Sequence, residues 1–188
     1  MLGQKLFLWT MVGVVAIFVG ILWINTSKEI PNNKLVQDVT PMTLTSSAFV
    51  GGGNIPEIYT CDGVNISPPL EFTNVPQEAK SLALVINDSD VPAGNWVHWV
   101  VWNIPPRTIG FHAGEKIVAG VEGLTSFGRN GYGGPCPPDG VHRYIFTLYA
   151  LDYTLNLQPV FGVRLEKTIA SHIIQKAELI GKYTREGE

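Results

Sequence analysis

The fold is decided by two stretches, DSDVPAGNWVHWVVWNIPP at residues 88–106 and GYGGPCPPDGVHRYIFTLYALD at residues 131–152. Each contains a run of β-branched and aromatic residues, which predicts a buried strand. Each run starts with a histidine, His98 or His142, just past a loop rich in Gly and Pro. Two histidines at the mouths of two strands predict one shared polar pocket. The alternative for each is a core imidazole satisfied by a backbone carbonyl.

The rest of the chain from Pro41 onward also has a mostly β pattern. Strands are predicted near 42–45, 57–60, 69–72, 81–87, 96–103, 116–119 and 142–151, with Pro and Gly between them at short intervals. This pattern favours a β-sandwich over alternating βαβ units. One helix is predicted over 163–177, where Leu165, Ile169, Ile173 and Ala177 recur every four residues.

Alternation along 96–103 predicts two apolar faces, Trp96, His98, Val100 and Trp102 on one and Val97, Trp99, Val101 and Asn103 on the other. A strand of this kind is expected to be central and covered on both sides. The same alternation along the second stretch places His142, Tyr144, Phe146 and Leu148 on one face.

The composition excludes one class of partner. Only 15% of the 188 residues are charged, the net charge is −3, and no run of Lys or Arg is present. Sequence-independent binding of nucleic acid depends on neutralising phosphates with such residues. Nucleic acid is therefore not an expected partner.

The N-terminus has a separate character. Residues 6–24 contain no charge and have Trp9 and Trp23 near the two ends, so as a helix they would span roughly 28 Å, close to the hydrocarbon thickness of a bilayer. We expect a flank at 1–5, a transmembrane anchor at 6–24, a polar linker at 25–40 and a folded domain at 41–188. A cleaved signal segment is the less favoured alternative, because the apolar run is longer than that of a signal peptide and no small-residue cleavage motif follows it. The domain is expected outside the cytoplasm, periplasmic or extracellular, and secreted if the segment is cleaved.

Four ordered motifs carry a resemblance to a known family. The strings YTCDGVNISPPLEF, DSDVPAGNWVHWVVWNIP, GYGGPCPPDGVHRYIFTLYALD and SHIIQKAELIGKY closely resemble the phosphatidylethanolamine-binding protein (PEBP) family, in particular its bacterial and archaeal Raf kinase inhibitor-like branch. The resemblance covers about residues 42–184. It implies a Greek-key β-sandwich with one or two peripheral helices, and a small pocket for anions such as phosphate or a phosphoethanolamine headgroup.

The resemblance also implies the site residues. The family's first pocket motif falls on Asp88, Asp90, Pro92, Trp96 and His98, and its second on Gly134, Pro137, Pro138, His142, Arg143 and Tyr144. The ligand-binding residues that this implies are Asp88, Asp90, Trp96, His98, Gly134, Pro137, His142 and Tyr144. Two imidazoles, a tyrosine hydroxyl and loop N–H groups are suitable donors for an anion in a dry site. Asp88 is the candidate for orienting an imidazole or meeting an ammonium group, and one of the two aspartates is expected only to cap the turn.

The only two cysteines, Cys61 and Cys136, belong to motifs that the family fold brings near the pocket. A disulfide between them is the expectation, and it agrees with an exported domain. Two free buried thiols are the alternative. A metal pair is a weaker one, because two sulfurs do not complete a zinc site.

Three functional classes follow from these residues. The favoured one is an anchored binding protein for a small anion or phosphorylated headgroup, which also regulates a partner protein. The second is an inhibitor or interaction domain for a kinase or protease, acting through its surface. The third is a hydrolase in which Asp88, His98 and His142 do acid–base work or hold a metal, and no nucleophile motif supports it. We expect no catalysis, cofactor or metal, and leave a homodimer open.

Overall fold

The computed structural model describes residues 40–92, 94–158 and 162–185. The expected anchor at 6–24 and all but the last residue of the expected linker at 25–40 lie outside these ranges. Within them, no helix is long and apolar enough to cross a membrane.

Eight strands form two antiparallel sheets. In chain order they are β1 (Thr43–Thr45), β2 (Leu70–Thr73), β3 (Ser81–Asp88), β4 (Trp96–Ile104), β5 (Gly110–Phe111), β6 (Val121–Glu122), β7 (His142–Leu151) and β8 (Ile173–Tyr183). The smaller sheet has the order β1-β2-β5 and the larger one β6-β4-β3-β7-β8. Helix α1 (Gly162–Ile169) and two 3-10 turns, Glu57–Tyr59 and Ala170–His172, complete the described elements. The mainly β fold with a peripheral helix is confirmed.

The larger sheet is covered on both faces, and each face has its own core. On one face, residues such as Leu84, Trp99 and Phe146 pack with Leu44 and Phe72 of the smaller sheet. On the other face, a second cluster contains Ala83, Val85, Val97, Val100, Trp102, Leu165 and Ile169, the last two from α1. Strand β3 is therefore buried along its whole length. The prediction that β4 is a covered central strand is also confirmed.

The prediction of a helix over residues 163–177 is wrong for the second half of that range. The helix ends at Ile169, and the chain continues from Ile173 as the eleven-residue strand β8. The spacing of four holds for Leu165 and Ile169, which are fully buried. Beyond that point Ala177, Leu179 and Gly181 alternate with exposed or half-buried residues, a period of two, and β8 pairs with β7. Pairing with the edge of the large sheet overrides the helical pattern.

Two of the shorter predicted strands are also wrong. Residues 57–60 form a 3-10 turn after Pro56. Residues 116–119 are not a strand, and Val118 is 86% exposed. Instead, the two-residue strand β6 follows Gly120, whose positive φ of 141° lets the chain turn onto β4. Pairing across the sheet decides these positions, and a local pattern does not report it.

Candidate functional site

The predicted site residues meet where three strands of the large sheet end or begin. Asp88 is the last residue of β3 and pairs with both Trp96 at the start of β4 and Tyr144 near the start of β7. Because β3 runs between and antiparallel to these two neighbours, its end meets their beginnings. A cavity of about 320 Å³ lies here, lined by Asp88, Val91, Trp96, His98, Phe127, Cys136 and Pro138.

A β-bulge directs His98 into this cavity. Ile86 pairs with Trp99 and Asn87 with Val97, so His98 is the extra residue of β4 that has no partner in β3. The side chains on either side of a bulge change face, and bulges are common next to functional sites for this reason. The prediction that His98 shares a face with Val100 and Trp102 is therefore wrong. Those two residues pack in the core beneath α1, whereas the His98 ring contacts Tyr144.

His142 and Asp88 form a buried pair beside the cavity. The Nδ1 atom of His142 donates to Oδ2 of Asp88 at 2.7 Å, and the two residues are 5% and 2% exposed. The other carboxylate oxygen, Oδ1, accepts from the backbone N–H of Asp90 at 2.9 Å. Asp88 is thus held by a bond to each oxygen, and it orients the imidazole of His142 as the sequence predicts.

His98 is held by the glycine-rich loop. Its Nδ1 donates to the carbonyl of Gly133 at 2.7 Å, and its own carbonyl accepts from the Gly133 N–H at 2.9 Å. Burial lowers the pKa of His98 more than the nearby carboxylate of Asp88 raises it. The ring is packed edge-on against Tyr144 and Phe127.

Tyr144 contributes a buried hydroxyl. The side chain is fully buried, and its oxygen makes no hydrogen bond to any described residue. Burial, reinforced by the charge of Asp88, raises the pKa of this hydroxyl. A buried polar atom without a partner is uncommon in a folded protein and marks a place where a ligand or water completes the bonding.

The loop between β6 and β7 is fixed by a second, distant segment. The Gly134 N–H donates to Oδ1 of Asn65 at 2.7 Å, and the disulfide Cys61–Cys136 joins the same two segments. A Cβ at Gly134 would lie 2.6 Å from both this oxygen and the Tyr59 carbonyl, so only glycine fits. The predicted disulfide is present.

Asp90 lies apart from the cavity. Its carboxylate accepts bonds from the guanidinium and the backbone N–H of Arg143, and it does not line the cavity. The Arg143 side chain lowers the pKa of Asp90 to about 2. Neither aspartate only caps the turn: Asp88 caps it through the Asp90 N–H and also holds His142, whereas Asp90 binds Arg143 of β7.

The eight predicted ligand-binding residues thus fall into four groups. Asp88, Trp96 and His98 line the cavity; His142 and Tyr144 lie directly behind them; Gly134 and Pro137 belong to the loop, and Asp90 is outside. The sequence-based prediction missed the wall residues Val91 and Phe127. It placed Pro138 in the second pocket motif without naming it a ligand-binding residue, and it predicted Cys136 only as a disulfide partner.

Phe127 is the most informative of the missed residues. Its ring packs edge-on against both Trp96 and His98, although the side chain is 39% exposed, and Arg129 lies 5.8 Å from its centre. An aromatic residue within the polar, glycine-rich stretch TSFGRNGYGG was the available signal. Within the ranges that the structure describes, no three His, Cys, Asp or Glu residues are arranged to hold a metal ion.

The class of protein that this fold and site define is that of small pocket-bearing β-sandwich proteins. The family model for phosphatidylethanolamine-binding protein matches residues 45–184, and the chain belongs to this family. A UPF0098 protein from Methanothermobacter thermautotrophicus is 49% identical to this chain over 152 residues. The matched region covers 77% of this chain and 99% of the relative.

Two solved structures are similar to the chain. The PEBP homologue CT736 from Chlamydia trachomatis has a TM-score of 0.74 and 46% sequence identity, covering 78% of this chain and 99% of its own. E. coli YbcL, which is described as a member of the mammalian PEBP family, has a TM-score of 0.73 and 27% identity over 78% of this chain and 100% of its own.

Proposed function

We propose that this protein binds a small anion or a phosphorylated headgroup, of the phosphate or phosphoethanolamine type, in the cavity at the end of β3. The observation that carries the proposal is a cavity lined by Asp88 and His98, with His142 bonded to Asp88 and the Tyr144 ring packed on His98 behind them. Buried polar groups that lack full hydrogen bonding lower the stability of the folded protein. A ligand that completes their hydrogen bonds explains why they are present beside a cavity.

The size and lining of the cavity suit a headgroup better than a whole lipid. A volume of about 320 Å³ is at the lower end for ligand sites. Val91, Trp96, Phe127 and Pro138 supply an apolar wall, which fits the short carbon chain of a phosphoethanolamine-type ligand.

Binding is favoured over catalysis because no activated nucleophile is found among the described residues. The Nδ1 atoms of His98 and His142 are engaged, with Gly133 and with Asp88, which leaves only the Nε2 of each ring as a possible base. The buried Ser89 hydroxyl has no hydrogen-bond partner among the described residues, so it is not coupled to either imidazole. A serine nucleophile requires such a coupling.

We also propose that the domain is anchored by residues 6–24 and lies outside the cytoplasm, where it regulates a partner protein. The Cys61–Cys136 disulfide supports a location outside the cytoplasm, because disulfides persist in oxidising surroundings. The proposal of regulation rests on the resemblance to Raf kinase inhibitor-like proteins.

The first test is a calorimetric titration of the full chain, solubilised in a maltoside detergent that carries no phosphate, with phosphate, O-phosphoethanolamine and a panel of divalent metals. Saturable anion binding that His98→Ala and His142→Ala each weaken at least tenfold is the expected result. Binding to vesicles of phosphatidylethanolamine is measured in detergent-free buffer and compared with binding of the soluble ligands. The comparison distinguishes a lipid headgroup from a free phosphate compound as the ligand.

Three results would contradict the proposal. Unchanged anion affinity in both variants would remove the site from this cavity. Tight metal binding with turnover of a phosphoester would favour a hydrolase. A stable complex with a kinase or protease that is insensitive to both variants would favour the surface-inhibitor function.

A further inference from the structure

The inner end of the cavity presents hydrogen-bond acceptors. The Nδ1 of His98 lies 2.7 Å from the Gly133 carbonyl oxygen, which can only accept, so the ring carries its hydrogen on Nδ1. In a neutral imidazole the other nitrogen, Nε2, is then a lone pair. His98 lines the cavity, and this nitrogen is the only polar atom of its side chain left to meet a ligand.

The surroundings of His98 keep its ring neutral at neutral pH. Burial lowers its pKa, and the charge of His142, when that ring is protonated, lowers it further, against the opposing charge of Asp88. From β7 the uncharged Tyr144 ring packs against it, and from the loop it meets Phe127, on whose ring the guanidinium of Arg129 lies. Among the described residues, no other titratable side chain packs against the ring.

Asp88 adds a second acceptor. Its oxygens already take bonds from His142 Nδ1 and the Asp90 N–H, and it lines the cavity as a carboxylate. A fully deprotonated anion placed here would face this carboxylate and the Nε2 lone pair, and the hydroxyls of Tyr144 and Ser89 are the neighbouring donors without a partner among the described residues. Like charges at this range in a buried site repel strongly.

We propose that each anion enters the pocket together with one proton, which is shared between His98 Nε2 and an oxygen of the ligand. This inference rests on the proposed anion site and specifies its ligand class, namely anions that bind in a protonated state, such as phosphate monoesters. The proton comes from solvent, and no bond other than its own is made or broken. Phosphate monoesters lose their second proton near pH 6. At neutral pH most of the free ligand is therefore a dianion and must take up a proton to bind.

The proposal sets a pH dependence with a definite sign. Above about pH 7 the free monoester is a dianion and His98 is neutral, so binding must take up a proton from solvent. The apparent affinity is then expected to fall about tenfold for each pH unit in this range, with an uptake of about one proton per ligand.

The test is calorimetry of the full chain with O-phosphoethanolamine at pH 7 and 8, in two buffers of different ionisation enthalpy. The buffer dependence of the heat measures the protons exchanged. About one proton taken up and about tenfold weaker binding at pH 8 is the expected result. Saturable binding with no proton exchange and equal affinity at both pH values would overturn the inference and leave the proposed function standing.

Two variants locate the proton. His98→Gln keeps a polar group that can donate without titrating, so proton uptake and the pH dependence should both be largely lost. His172→Gln is the control, because the Nδ1 of His172 is likewise engaged by an acceptor, the carboxylate of Asp152, but the residue lies near the opposite end of β7. Full proton uptake in His98→Gln would overturn the assignment to His98. No saturable binding of the wild-type chain at pH 6 would refute both the inference and the proposed function.

Discussion

At the scale of single residues, two aspartates separated by one position have different roles. Asp88 points inward and orients His142, whereas Asp90 lies outside and binds Arg143. The strand ends at Asp88, so the chain beyond it turns and the two carboxylates no longer share a direction. The motif D-x-D therefore divides into one cavity residue and one residue that fastens β7 to the turn.

The Asp90–Arg143 pair should stabilise the fold in a pH-dependent way. The pKa of Asp90 is lowered from 3.8 to about 2, so its contribution is present above about pH 4 and is lost as the pH falls through 2. Asp90→Asn should lower stability at pH 7 by about 1 kcal/mol or less, since the pair is partly exposed. Thermal unfolding at pH 7 and pH 2 measures this effect.

Asp139→Asn is the control for that prediction, because Asp139 is an exposed aspartate in the loop before β7. It should leave stability almost unchanged at both pH values. An Asp90→Asn deficit of equal size at pH 2 and pH 7 would mean that the charge of Asp90 is not what stabilises.

At the scale of elements, the cavity depends on loops that are tied to one another across the sequence. The disulfide joins positions 75 residues apart, and Asp62, the residue after Cys61, accepts bonds from Tyr183 and Arg185 at the end of β8. Asn65 holds Gly134 from the same segment. The wall that carries Cys136 and Pro138 is thus built by residues 59–65 as much as by its own sequence.

Replacing both cysteines by serine should weaken the fold and the site together. Closing a loop of this length stabilises by about 4.5 kcal/mol in the chain-entropy model. Since Cys136 lines the cavity, anion affinity should also fall, by about tenfold or more. Thermal unfolding and calorimetry of the double variant, with dithiothreitol-treated wild type alongside, check this. Unchanged affinity in both samples would mean that the wall keeps its place without the bond.

Helix α1 provides a contrasting prediction. Leu165 is fully buried on the face of the large sheet away from the smaller sheet, and Leu165→Ala should cost about 2–5 kcal/mol of stability. Anion affinity should be unchanged, because Tyr144, which packs behind the cavity against His98, belongs to the core on the other face. Lys167→Ala, at an exposed position of the same helix, should alter stability by no more than about 0.5 kcal/mol. A loss of affinity in folded Leu165→Ala protein would show that the two faces are coupled.

At the scale of the whole molecule, the proposed anchor and the disulfide make one joint prediction. In cells that produce the full chain, the protein should stay in the membrane fraction after alkaline carbonate extraction. Protease added from outside the membrane should digest the domain, and both cysteines should resist a thiol reagent until they are reduced. A Cys61→Ser variant, with Cys136 left unpaired, is the positive control for labelling. Soluble, released domain would indicate cleavage, and a protected domain with reactive thiols would place it in the cytoplasm.

Local sequence pattern was sufficient for several elements. The strands β3, β4 and β7 were predicted to within one residue at each end, because their long β-branched and aromatic runs have no competing pattern. The local sequence pattern was insufficient to predict β8, because a spacing of four residues is compatible with either a helix or the buried face of a strand. Pairing with β7 decided between them, and that contact involves residues about 30 positions apart.

The sequence by itself determined that two histidines stand at the mouths of two buried strands, and its motifs identified the family. Only the tertiary structure decided which atoms meet. The bulge at His98 arises from the pairing of β4 with β3, the separation of Asp88 from Asp90 arises where β3 ends, and Phe127 enters the wall through a loop. These features depend on contacts between distant segments, whereas a sequence pattern reports only the periodicity of neighbours along the chain.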